Sequence, residues 1–96
     1  MDAKERTEKI KQAILQSLAE SGAELSFLKV KRGIDARIPK VHKYFLDNGF
    51  KEKEWDLEVQ EILQELKQEG KVQLSGIDDW QLLGDFGGEL GGLDGD

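Results

Sequence analysis

The chain has 96 residues, with 20 acids against 14 bases, no cysteine and one histidine. That length holds one small domain with one modest core, burying roughly 60–65% of its unfolded surface. The missing cysteine excludes disulfides, thiolate metal sites and cysteine nucleophiles, and no apolar run approaches the roughly 20 residues of a membrane span.

The first helix is expected over about 3–20. Asp2 and Glu5 have the spacing of a capping box, in which the aspartate accepts from an early amide and the glutamate reaches back. Ile10, Ala13, Ile14 and Leu18 form one apolar stripe, and Ser21-Gly22 stops it. The charged start MDAKERTEKIK lacks the apolar core of a secretory leader. With no disulfides to form, a cytoplasmic setting is the simplest expectation.

Residues 23–34, AELSFLKVKRGI, change phase partway. Leu25 and Phe27 alternate with polar neighbours and predict a short strand. Leu28 and Val30 break that alternation, so a helical turn or loop is expected to follow. Gly33 is read as punctuation.

A second helix is expected to start at Pro39, because proline suits the first helical position and pushes Ile38 out of the helical region. Val41, Phe45 and Leu46 make its buried stripe, and Asn48-Gly49 ends it. Residues 29–53 carry eight bases against three acids, a surplus of five in an acidic chain. Such a segment is a candidate anion-binding patch, or simply a solvated face.

The third helix is expected over about 56–69 with Asp56 as its N-cap. Val59, Ile62, Leu63 and Leu66 give its core face. Gly70 stops it, Val72 and Leu74 begin a strand, and Ser75 to Asp79 form a hairpin turn. Trp80 and Leu82 are expected to share a face with Val72 and Leu74. Residues 84–96, GDFGGELGGLDGD, hold four acids and no base. They bury too little apolar surface to offset chain entropy, so a disordered acidic tail is expected.

The domain therefore spans 1–83, mainly α with a small β-hairpin, an α+β arrangement. Its stretch EILQELKQEGKVQLSGIDDWQLL resembles the winged helix-turn-helix superfamily: a leucine-lined third helix, Glu-Gly, then an aliphatic strand opening the wing. AILQSLAESGAELSF resembles that superfamily's first helix and first strand. The resemblance implies three helices plus a wing and binding of double-stranded DNA, as in transcription regulation. Under it Lys29, Lys31, Arg32, Arg37, Lys40 and Lys43 would lie on phosphates. Gln60, Gln64 and Lys67 would approach base edges, and Lys71 would support the wing root.

Two features depart from that pattern. The turn 50–55 exceeds the usual 3–4 residues. The third helix carries Glu58, Glu61, Glu65 and Glu69 on one flank, which phosphates repel. The alternative is a protein-interaction module that meets a basic partner through this flank and Trp55, or a homodimer through an apolar face. Trp55 itself reads either as a core anchor or as a partner contact.

No constellation points to chemistry. His42 is alone, without a ligand set for metal, and no serine sits in a nucleophile elbow. Asp78-Asp79 has the residues to ligate a cation, but turns favour aspartate in any case. No enzyme activity and no cofactor are expected.

Overall fold

The computed structural model describes residues 2–83. The expected tail at 84–96 lies outside them. Seven elements follow one another: α1 (Ala3–Ser21), β1 (Leu25–Ser26), α2 (Phe27–Arg37), α3 (Pro39–Asp47), α4 (Glu52–Gln68), β2 (Val72–Ser75) and β3 (Asp79–Leu82). Four helices and a small antiparallel sheet make an α+β fold.

Helix α1 begins where its cap places it, with the Asp2 carboxylate accepting from the Glu5 amide at 2.8 Å. Its face of Ile10, Ala13, Ile14 and Leu18 is buried, as the periodicity requires.

The segment after β1 is a full helix, α2, and not the expected turn or loop. Ser26 caps it by accepting from the Lys29 amide at 3.3 Å. Val30 and Ile34, one turn apart, are both buried. The phase change in the sequence is the junction between strand and helix. Gly33 is not a terminator either. A Cβ built on it would stand 2.2 Å from Ser17 Oγ, so glycine is what lets α1 and α2 approach.

Helix α3 starts at Pro39 as expected, with Val41 and Phe45 buried. Leu46, expected inside, is 42% exposed. Helix α4 starts four residues before the expected Asp56. Lys51 precedes its first turn and donates its amide to Glu54 Oε1 at 2.8 Å. Only residues 48–51 separate α3 from α4. The long 50–55 turn therefore does not exist, and Asp56 is free to pair with Lys31 at 2.6 Å.

The sheet has the order β1-β3-β2. Val72 faces Leu82 and Leu74 faces Trp80 across the hairpin, the shared parity read from the sequence. β1 adds a third strand through Leu25 opposite Trp80. A lone hairpin is marginal in water, and this one is held by that strand and by burial of Val72 and Trp80 in the core. Gly76 makes the turn in the left-handed region at φ +76°.

One cluster holds the molecule together. Leu15 and Leu18 of α1, Ile34 of α2, Phe45 of α3, and Trp55, Ile62, Leu63 and Leu66 of α4 all lie in it. Trp55 is fully buried. Its indole stacks on His42 and meets the edge of Phe45, so it is a core anchor and not a partner contact.

Candidate functional site

Helix α4 presents three faces. The core face is described above. The flank of Glu58, Glu65 and Glu69 turns toward α1. Lys11 Nζ lies 2.8 Å from Glu69 and 3.1 Å from Glu65, and Arg6 lies 4.0 Å from Glu58. Three of the four glutamates proposed for a basic partner thus already have one, in their own chain.

The electrostatics follow from these contacts. The hydrogen bond from Lys11 holds the Glu69 carboxyl below the usual carboxylate range. The same bond raises the Lys11 ammonium above its ordinary value, against an opposing effect of burial. Glu58 moves the other way: burial raises it more than Arg6 lowers it.

The third face points outward over the hairpin. Leu57, Gln60, Glu61 and Gln64 lie at i, i+3, i+4 and i+7, so one side of α4 carries them all. Opposite stand Leu74, Ile77 and Asp78, with Phe27 and Trp80 at the base. The two walls enclose a cleft of about 310 Å³. Its aliphatic side chains are open to solvent: Ile77 is 97% exposed, Leu57 54% and Leu74 38%. Its charged lining is acidic, from Glu61 and Asp78, with no lysine or arginine.

The bases expected on phosphates lie outside this cleft, and several are paired. Lys31 is held by Asp56 of α4 and Lys43 by Asp47 of its own helix at 2.7 Å. Arg37 pairs with Glu20, and Lys71 lies 3.4 Å from Glu69. Lys29 and Arg32 stand exposed on α2, and Lys67 on α4. Arg37 and Lys40 border a separate groove with Lys9, Ile38 and Pro39. The structure brings Gln60, Glu61 and Gln64 together in the cleft and Arg37 and Lys40 together at the other groove, while Lys29, Lys31, Arg32, Lys43, Lys67 and Lys71 line neither.

The residues that sequence reasoning missed are Leu57, Leu74, Ile77 and Phe27 as a surface. Two signals were present. Leu57 falls outside the core stripe of α4, and Ile77 is a β-branched aliphatic in a turn, where polar residues prevail.

The chain matches no protein-family model, no curated protein and no solved structure. No described helix is long and apolar enough to cross a membrane.

Proposed function

We propose that this chain is a winged-helix module that acts by holding a protein partner in the cleft between α4 and the β2–β3 hairpin. The reading assigns it no catalysis and no cofactor, and a cytoplasmic setting suits a chain without cysteine. Helix, strand, helices and hairpin in this order support the winged-helix assignment. Strand β1 joining the hairpin through β3 supports it too. In that assignment α4 takes the place of the recognition helix and α3 is an additional helix ahead of it.

The observation that carries the function is the lining of the cleft. A recognition helix for DNA needs positive charge near its exposed face, since phosphates supply much of the affinity. Here the α4 side of the cleft carries Leu57, Gln60, Glu61 and Gln64, and the hairpin side adds Leu74, Ile77 and Asp78, so the lining has three open aliphatic side chains, two acids and no base. A group of exposed aliphatic residues beside a hairpin supports a protein contact.

Double-stranded DNA is the competing ligand, through Gln60 and Gln64. Titrating labelled protein with a duplex at low salt separates the two. Amide shifts of Gln60, Gln64 and Ile77 should stay fixed. Saturable movement of these three would overturn the protein-partner reading.

A further inference from the structure

We infer that the occupant of the α4–hairpin cleft is a short amphipathic segment of another protein, with two aliphatic side chains about one helical turn apart and lysine or arginine beside them. This rests on the partner-binding reading above and adds the chemistry of the partner. The length of the cleft sets the spacing. From Leu57 to Gln64, α4 runs about 10 Å, at 1.5 Å per residue. That span takes two side chains separated by one helical pitch of about 5.4 Å. Leu57 stands at one end of the helix wall, and Leu74 and Ile77 belong to the hairpin wall.

Charge sets the rest of the partner. Glu61 belongs to the helix wall and Asp78 to the hairpin wall, so each side of the cleft carries one acidic residue. Neither makes an ion pair among the described residues, whereas Glu58, Glu65 and Glu69 all do. A base on the incoming segment would meet an acid that the fold has left unpaired. The gain is modest for each exposed pair, so the aliphatic contacts carry affinity and the bases carry selectivity.

The same charges exclude two other occupants. A second copy of the chain, docked face to face, repeats each surface across a twofold axis. Glu61 and Asp78 of both copies would then share one seam. Residues 84–96 of the chain itself carry four acids and no base, so repulsion sets them against this cleft.

The probe is a ten-residue peptide, Ac-AKKLAKKLKA-NH2, with Ac-AEELAEELEA-NH2 as its charge-reversed control. Each is titrated into the labelled full chain while amide shifts are followed. The lysine peptide should saturate shifts at Leu57, Glu61, Leu74 and Ile77, and bind at least about tenfold tighter than the glutamate peptide, a ratio that shrinks with salt. Leu57→Lys should weaken it about tenfold or more, the size of loss expected for a central apolar anchor. Ile77→Lys, at an exposed turn position, serves the same purpose should Leu57→Lys fail to fold. Equal binding of the two peptides, shifts centred elsewhere, or no saturable shift would each overturn the partner assignment. Duplex DNA moving these amides instead would overturn the protein-partner reading itself, so the two failures are distinct.

Discussion

His42 lies flat against Trp55, with ring centroids 4.8 Å apart and planes 13° from parallel. Its Nε2 lies 2.7 Å from Glu52 of α4, and its Nδ1 3.1 Å from Asp35 of α2. One side chain of α3 thus joins two other helices and covers the core tryptophan. His42→Ala removes the stack and leaves two carboxylates without their shared partner. It should destabilise the fold by about 1–3 kcal/mol, read as a lower urea midpoint with an unchanged slope. His42→Phe restores the stack alone and should recover only part of the loss.

Gly33 allows a sharper test, because two effects have opposite signs. In an exposed helix interior, Gly→Ala gains roughly 1 kcal/mol from helix propensity. Here the added methyl would lie 2.2 Å from Ser17 Oγ and 2.9 Å from Ser17 Cβ. Ser17 is buried and its hydroxyl already donates to the Ala13 carbonyl, so it has little room to yield. Overpacking should win, and Gly33→Ala should lower stability by about 1–3 kcal/mol. Adding Ser17→Ala removes the hydroxyl but keeps the Cβ, so thermal unfolding of the double variant should show partial rescue.

The clasp between α1 and α4 makes stability depend on acid. Glu69 titrates below its ordinary value when folded. Its contribution is therefore complete above the unfolded value and is lost as pH falls through the folded one. Glu58 is raised by burial, so its ionisation costs the folded state as pH climbs through its own range. Protonation of Glu58 offsets part of the acid loss due to Glu69. Glu69 is more than a third exposed, so solvent screening keeps its share to about 0.2–1 kcal/mol. Glu69→Gln should flatten the acid limb of a stability profile between roughly pH 3 and 5, and Glu58→Gln should steepen it. Chemical denaturation across that interval reads both.

Much of this architecture was legible in the sequence, and the exceptions have physical causes. Apolar spacing located α1, the body of α4 and the parity of the hairpin, because each buries one regular face. It failed at α2. That helix buries only Val30 and Ile34, too few for a visible stripe, and its central glycine looked like a stop. Reading Asp56 as the N-cap also placed the start of α4 too late. The true start uses the Glu54 side chain on the Lys51 amide, which needs no aspartate at the cap. The acidic flank was visible as a stripe, but its partners Arg6 and Lys11 lie about fifty residues away in α1. No local pattern could reveal that three of its four glutamates were already paired. The cleft was hidden for a related reason, since Leu57 and Ile77 come to line one cleft only when helix and hairpin fold together.

The open aliphatic residues should add little to the stability of the isolated chain. Ile77→Ser exposes no core atom and should shift stability by less than about 0.5 kcal/mol. Val59→Ala, on the core face of α4, should cost about 1–3 kcal/mol through lost burial and cavity formation. Melting temperatures of the two variants give the comparison.

Exchanging the signs across the cleft is the most direct test of the account. Glu61→Lys combined with Asp78→Lys should invert peptide choice, so that calorimetry finds Ac-AEELAEELEA-NH2 binding tighter than Ac-AKKLAKKLKA-NH2 while the fold is kept. A doubly reversed protein that still prefers the lysine peptide would contradict the assignment of this cleft.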